Sequence, residues 1–116
     1  MSNLQIAEQM IAHYNAQDAD AYVALMTEEA CEAVYRGDVL REGREGTRIG
    51  LKGAFDTWPE NHAEIVERQT IGKYVVLREH VTRGRPADGS AVPEPFDVIA
   101  IYSFEGGLCS RVEFVR

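Results

Sequence analysis

The chain has 116 residues, 45% of them hydrophobic and 27% charged, and its formal net charge is −7. This length and composition favour a single globular domain over residues 1–116, and the acidic excess excludes a nucleic-acid partner, which would need clustered lysine and arginine. No apolar run is long enough to span a membrane and no signal-peptide pattern begins the sequence, so we expect no membrane partner and a cytoplasmic location.

Helical spacing dominates the first part of the sequence. Apolar residues recur every three or four positions over residues 4–14, which predicts a first helix with one buried face. Asp18 is a suitable N-cap for a second helix. The apolar pattern of that second helix continues to Met26, where we expect the helical part to end.

The middle of the chain alternates between short patterns. Residues 31–35 predict a strand, and the polar residues 36–43 predict a loop. A third helix is predicted over residues 45–58. Pro59 ends it, because proline cannot continue the hydrogen-bond ladder of a helix.

Strand patterns fill the second half. Further strands are predicted at residues 62–70, 73–83, 96–104 and 108–115. The string Glu105-Gly-Gly107 predicts a tight hairpin turn, and residues 84–95, rich in glycine and proline, predict a long loop able to act as a flap. Helices first and strands later predict an α+β fold with an antiparallel sheet.

The strands also indicate how the sheet is covered. Alternation along residues 73–83 puts Arg78 and His80 on one face and Glu79 on the other. The strand at residues 96–104 is apolar on both faces, so both sides of the sheet need a covering layer. Three helices cover one side, and we expect a second copy of the chain to cover the other in a homodimer.

Several strings, in their order along the chain, carry a resemblance to a known family. They are Tyr14-Asn-Ala-Gln-Asp18, Tyr22-Val-Ala-Leu-Met26, Gly43-Arg-Glu-Gly46, Trp58-Pro59 and Phe104-Glu-Gly-Gly-Leu108. Together they span nearly the whole chain and resemble the nuclear transport factor 2-like superfamily, which includes ketosteroid isomerases, SnoaL-like polyketide cyclases and limonene epoxide hydrolase. The resemblance implies a cone-shaped α+β fold, with three N-terminal helices packed on a strongly curved antiparallel sheet around a pocket for a small hydrophobic ligand.

The chemistry of ketosteroid isomerases is not reproduced at the matching positions. That mechanism needs a carboxylate base on the first strand, a tyrosine on the first helix and a protonated acid on a later strand. The matching residues here are Val34, Met10 and Ala100, none of which can transfer a proton. The arginine and aspartate that limonene epoxide hydrolase places on a middle strand are also not reproduced by Arg78-Glu-His80.

The resemblance to the cyclases and the epoxide hydrolase is better at the last strand. Those proteins carry a pocket-facing acid there, where this chain has Glu113. A slip of one residue at the preceding glycine turn would put Val112 or Phe114 at that site instead.

We therefore predict a catalytic group of His80 and Glu113, assisted by Arg78. An apolar pocket raises the pKa of a carboxyl group and imidazole titrates near neutral pH, so both residue types can carry a proton there. Two alternatives stay open. In the first, His80 and Glu113 only hydrogen-bond at the mouth of the pocket or face solvent. In the second, the two faces of the strand are reversed, and Glu79 takes the place of His80.

Five further residues are predicted to bind the ligand. Tyr14, Trp58 and Tyr102 can stack on a planar molecule, with core packing as the alternative, and the resemblance places Val34 and Ala100 at the pocket. No cofactor is expected, because no glycine-rich phosphate loop follows a strand. No metal is expected, since neither the histidines nor the two distant cysteines have the spacing of metal ligands.

Two classes of function fit the sequence. The first is a cofactor-independent isomerase, cyclase or hydratase that acts on a small hydrophobic carbonyl compound by acid/base catalysis. The second is a module without catalysis that binds a small ligand or mediates dimerisation. An enzyme or a ligand-binding module predicts a closed cavity lined by Arg78, His80 and Tyr102, and a purely structural module predicts a cavity filled by side chains.

Overall fold

A computed structural model describes all 116 residues, which form three helices and one curved six-stranded sheet. The helices are α1 (Asn3–Asn15), α2 (Ala19–Ala24) and α3 (Gly43–Thr57). The strands are β1 (Met26–Val34), β2 (Val39–Arg41), β3 (His62–Ile71), β4 (Tyr74–Thr82), β5 (Phe96–Glu105) and β6 (Leu108–Val115). The α+β class predicted from the sequence is confirmed. None of the helices is long and apolar enough to cross a membrane.

Local signals explain where the helices begin. Ser2 caps α1 by accepting a hydrogen bond from the Gln5 backbone at 3.1 Å, and the Gln5 side chain accepts one from the Ser2 backbone at 2.8 Å. This reciprocal pair satisfies two N–H groups that the first turn leaves free. Asp18 caps α2 as predicted, through a bond of 3.0 Å from the Ala21 backbone.

The second helix is shorter than predicted, and the first strand is longer. α2 ends at Ala24, and Met26 opens β1 instead of closing the helix. The Leu25 carbonyl accepts a hydrogen bond of 2.8 Å from the backbone of Cys109 in β6, which draws the chain into the sheet. Buried apolar residues suit a helix end and a strand start equally, so the sequence pattern did not separate them.

The sheet has the order β2-β1-β6-β5-β4-β3. Every neighbouring pair is antiparallel except β1 and β6, which run parallel, so the prediction of an antiparallel sheet holds for all but one pair. Strand β2 lies within residues 36–43, which were predicted as a loop. It has only three residues, too few to show an alternating pattern.

The connections between the later strands follow the sequence more closely. Gly106 and Gly107 have φ angles of 59° and 83°, a left-handed backbone that lets β5 turn directly into β6 as predicted. The loop of residues 84–95 joins β4 to β5. It is tied to the end of α3 by the Ala87 N–H, which donates to the Thr57 carbonyl at 2.9 Å.

The core lies between the helices and one face of the sheet, which we call the inner face. From β4 and β5 the inner face presents buried side chains that contact the apolar side of α1. The opposite face, called the outer face, has no covering element and leaves Ile99 40% exposed. The inner side chains of these two strands are Val75, Leu77, Glu79, Val81, Val98, Ala100, Tyr102 and Phe104.

Candidate functional site

A cavity of about 450 Å³ lies between the helices and the inner face of the sheet. Of the 19 residues that line it, 14 are hydrophobic, and this is the size and character of a site for a small organic molecule. The five charged residues of the lining are Glu32, Arg41, Glu79, Arg83 and Arg116. The chain therefore keeps an open space where a purely structural domain would fill it with side chains.

Glu79 is a buried carboxyl group that faces this cavity from β4. Only 4% of the residue is exposed, and its Oε2 accepts a hydrogen bond of 2.9 Å from the hydroxyl of Tyr102 on β5. Burial raises the pKa of Glu79 to about 7. The Tyr102 hydrogen bond acts against this rise, and the nearby negative charge of Glu32 adds to it. A carboxyl group with this pKa can both take up and release a proton at neutral pH.

Glu32 is a second buried carboxyl group, but it has a counter-ion. Its Oε1 lies 2.6 Å from Nη1 of Arg41, and its Oε2 accepts a 2.6 Å hydrogen bond from the Tyr22 hydroxyl. Arg41 belongs to the short strand β2, which pairs with β1 beside Glu32. This buried carboxylate thus forms a structural ion pair with an arginine and accepts a further hydrogen bond from a tyrosine.

The two tyrosines that serve these carboxyl groups remain protonated. Burial raises the pKa of both Tyr22 and Tyr102 well above the ordinary tyrosine value, and the neighbouring carboxyl groups raise it further. Each hydroxyl therefore acts as a fixed hydrogen-bond donor.

The exposed end of the cavity, called the rim, is formed by aromatic and basic side chains. Nη1 of Arg83 donates to the Tyr14 hydroxyl and to Oδ1 of Asn61, both at 3.3 Å. The Asn61 side chain also donates to the Tyr14 hydroxyl. The Arg83 guanidinium lies over the rings of Trp58 and Phe96, at 5.9 and 5.3 Å from their centres.

Comparison with known proteins identifies the family. A family model described as a SnoaL-like domain matches residues 7–112. The chain belongs to the SnoaL-like domain family. A search of curated proteins gives no match.

Solved structures resemble this SnoaL-like protein over nearly its whole length. An uncharacterized cystatin-fold protein from Novosphingobium aromaticivorans is 66% identical, with a TM-score of 0.98, 100% of this chain covered and 99% of that one. A nuclear transport factor 2-like protein of unknown function from Cytophaga hutchinsonii is 14% identical, with a TM-score of 0.77 and coverage of 99% and 89%.

A third structure contains a small ligand. It is a protein from Catenulispora acidiphila with a ketosteroid isomerase-like fold in complex with trimethylamine, 15% identical, with a TM-score of 0.80 and coverage of 99% and 87%. At these low identities the likeness concerns the fold alone. The cone-shaped fold of the nuclear transport factor 2-like superfamily, predicted from the sequence, is confirmed.

Four of the five residues predicted to bind a ligand do line the cavity of the SnoaL-like domain. They are Tyr14, Trp58, Tyr102 and Val34. Ala100 does not, because it lies fully buried in the core on β5. The role of the four in binding stays a prediction.

The structure does not place Arg78 and His80 at the cavity. Both side chains lie on the outer face, where each contacts the Asp97 carboxylate. Nη2 of Arg78 lies 2.8 Å from Oδ2 of Asp97, and Nδ1 of His80 lies 2.7 Å from Oδ1. Strand β4 turns its apolar side to the helices, and Arg78 and His80 belong to the other side. Glu79 faces the cavity in place of His80, which is the alternative that the alternation along this strand left open.

Glu113 is also absent from the cavity lining, so the predicted pairing of His80 with Glu113 does not form. The Glu113 carboxyl group lies 3.6 Å from the Arg111 guanidinium, and its strand neighbour Phe114 lines the cavity instead. This is the alternative register considered for the last strand.

The sequence did contain a signal for Glu79. It is the only polar residue on the side of β4 that carries Val75, Leu77 and Val81. A single carboxyl group on an otherwise apolar strand face must be buried, and burial shifts its proton equilibrium. Arg83 continues the same alternation one step beyond the strand, and this pattern also pointed to the cavity.

Proposed function

We propose that this SnoaL-like protein is a cofactor-independent enzyme that moves a proton on a small hydrophobic carbonyl compound, as an isomerase, cyclase or hydratase does. Glu79 is the proposed acid/base group. The observation that carries the proposal is a buried carboxyl group with a pKa of about 7 and no ion-pair partner, facing a cavity lined mainly by apolar side chains.

The surroundings of Glu79 suit this role. The Tyr102 hydroxyl donates to one carboxyl oxygen, Oε2, and so orients the group. The other oxygen has no protein donor and is left for the substrate.

The proposed step begins with ionised Glu79. Its carboxylate takes a proton from the carbon next to the substrate carbonyl group, and the electrons of the broken C–H bond form an enolate. The protonated Glu79 then returns the proton, either to another carbon of the substrate or to the same one. Between these two events the acidic proton of Glu79 exchanges with solvent that enters the cavity, so hydrogen from the solvent is incorporated into the substrate.

Exchange of the α-protons of 2-tetralone in heavy water, followed by NMR, tests the proposal. The wild-type rate is expected to rise with pH through about 7 and then level off, because the base form of Glu79 dominates above its pKa. Glu79→Gln is expected to lose about 10²-fold or more, the usual contribution of a general base. Wild-type exchange in this variant would refute the role of Glu79.

Two variants outside the cavity serve as matched controls. Glu113→Gln removes a carboxyl group of the same type from β6, and His80→Ala removes the imidazole on the outer face. Both are expected to exchange 2-tetralone at the wild-type rate. Loss of exchange in either one, with Glu79→Gln unaffected, would favour the catalytic group first predicted from the sequence.

Ligand binding without catalysis is the second candidate function. The related structure from Catenulispora acidiphila holds trimethylamine, so a protein of this fold can hold a small molecule. Binding of 2-tetralone to the cavity with no exchange above the solution rate would favour this function for the present chain.

A homodimer is proposed from the outer face of the sheet. Neighbouring strands present exposed apolar side chains there, and no part of the chain covers them. Burying them against the same face of a second copy would remove this apolar surface from water. The side chains are Ile71, Tyr74, Ile99 and Val115.

A further inference from the structure

Arg83 at the rim is held in place by several contacts but has no counter-ion. Its Nη1 atom is bonded to Tyr14 and Asn61, and its guanidinium lies over two aromatic rings. None of the ion pairs of the chain includes it. The guanidinium is thus fixed by neutral partners, and its positive charge is left uncompensated.

Hydrogen-bond donors of Arg83 and Tyr14 remain free at this point. A guanidinium has five N–H groups, and the Nη2 and Nε groups of Arg83 have no protein acceptor. The Tyr14 hydroxyl accepts bonds from Arg83 and Asn61, and its own hydrogen has no acceptor. No buried side-chain atom lacks a partner, so the unpartnered Nη2 and Nε groups of Arg83 are accessible from the cavity or the solvent.

The charges of the cavity favour an anion at the rim. Arg41 is neutralised by Glu32, whereas Arg83 has no carboxylate partner. The Arg116 guanidinium lies 4.2 Å from the centre of the Phe96 ring, which Arg83 also contacts. This positive end is unusual in a chain whose net charge is −7.

We infer that the rim is a carboxylate-binding site, and that the ligand of this cavity is a small apolar carboxylic acid. Arg83 and the Tyr14 hydroxyl hold its carboxylate group, and its apolar body lies along the hydrophobic lining toward Glu79. The inference rests on the proposed function for the place of the reacting group, but binding at the rim does not require that Glu79 transfer a proton.

A carboxylate fits the rim better than a phosphate does. One planar guanidinium fork matches the two oxygens of a carboxylate, whereas phosphate sites gather backbone N–H groups from glycine-rich loops or helix N-termini. The cavity lining contains no glycine. Its mostly apolar walls also favour a ligand with one charged end and an apolar body.

A pair of probes that differ only in charge tests the inference. Isothermal titration calorimetry at neutral pH would compare 4-phenylbutyrate with 4-phenylbutyramide, and the fluorescence of Trp58, the only tryptophan, would report occupancy near the rim. Wild-type protein is expected to bind the carboxylate about tenfold or more tightly than the amide, as charge-assisted hydrogen bonds predict. Arg83→Gln is expected to bind both probes with equal affinity.

Further variants give the controls. Arg85→Gln removes an exposed arginine two residues away, outside the cavity, and is expected to keep the full preference for the carboxylate. Arg83→Lys keeps the positive charge but lacks the planar guanidinium fork, so it is expected to keep part of the preference for the carboxylate. Circular dichroism of each variant verifies that it is folded.

Three results would overturn the inference: equal affinity of the wild-type protein for the two probes, no measurable binding of the carboxylate, or a preference that persists in Arg83→Gln. Glu79→Gln separates this inference from the proposed enzyme function. It is expected to retain the carboxylate preference even where it has lost proton exchange.

Discussion

Glu32 and Glu79 are buried carboxyl groups that line the same cavity, and each accepts a hydrogen bond from a tyrosine. They differ in their charged neighbours. Arg41 forms an ion pair with Glu32, whereas no basic side chain forms one with Glu79. Because an unpaired buried charge costs free energy, the protonated form of Glu79 is favoured. The group proposed for catalysis is therefore also one that destabilises the fold when it ionises.

This cost predicts a pH dependence of stability. The pKa of Glu79 rises from 4.5 to about 7 on folding, so its stabilising contribution is complete below pH 4.5 and is lost as the pH rises through about 7. At roughly 1.4 kcal/mol per pH unit, the loss is about 3 kcal/mol. Glu79→Gln cannot ionise, so its free energy of unfolding should gain this amount relative to wild type over that interval.

Urea unfolding at a series of pH values measures the effect. Glu64→Gln, which changes an exposed glutamate on β3, is the matched control. A difference between wild type and Glu79→Gln that stays constant from pH 4.5 to 8 would contradict the raised pKa.

A glycine of helix α3 leaves room for the arginine of the Glu32–Arg41 ion pair in the cavity. A Cβ atom at Gly50 would come within 2.7 Å of the Arg41 side chain. The bare backbone of α3 thus lets Arg41 lie between the helix and β1, where it reaches Glu32. At Gly53, one turn later, an added Cβ would meet nothing within 4 Å.

Replacing the two glycines by alanine should therefore have opposite effects. Gly53→Ala is expected to stabilise the protein by about 0.5–1 kcal/mol, because alanine favours the helix. Gly50→Ala gains the same helix propensity but displaces Arg41 and leaves Glu32 without its counter-ion, so a net loss of about 1 kcal/mol or more is expected. Thermal unfolding of both variants compares them, and equal stabilisation would mean that Arg41 moves at no cost.

The exposed apolar side chains on the outer face of the sheet predict association of two copies of the chain. Ile99 is 40% exposed at the centre of this face, between β4 and β6, and Ile49 is 60% exposed on α3. Ile99→Glu is expected to give a monomer, and the control Ile49→Glu to leave the dimer intact, because only the first places a charge in the proposed interface. Size-exclusion chromatography with light scattering measures the molar mass of each protein in solution, and a monomeric wild-type protein would refute the interface.

The sequence predicted the parts of the fold that depend on local patterns. The first helix, predicted over residues 4–14, is observed at Asn3–Asn15, and the glycine turn before β6 is observed where it was expected. Strand β2 and the parallel pairing of β1 with β6 depend on contacts between distant residues. No local pattern reports such contacts, so both were missed.

The same division applies to the candidate site. Tyr14, Trp58 and Tyr102 were predicted at the cavity because aromatic rings can stack on a planar ligand, and all three line it. The charged residues were assigned to the wrong side of β4, because alternation separates two faces without saying which one the helices cover. The more apolar face is the covered one, and Glu79 belongs to it.

The place of β6 in the sheet has a consequence for the synthesis of the protein. This strand is the last in the sequence, yet it lies between β1 and β5 and contributes hydrogen bonds to both. While the ribosome is still translating residues 108–115, the edge of β1 that faces β6 has no partner. The sheet is therefore completed only after residues 108–115 have left the ribosome, and we expect this step to be slowed by the sequence-distant contacts that it requires.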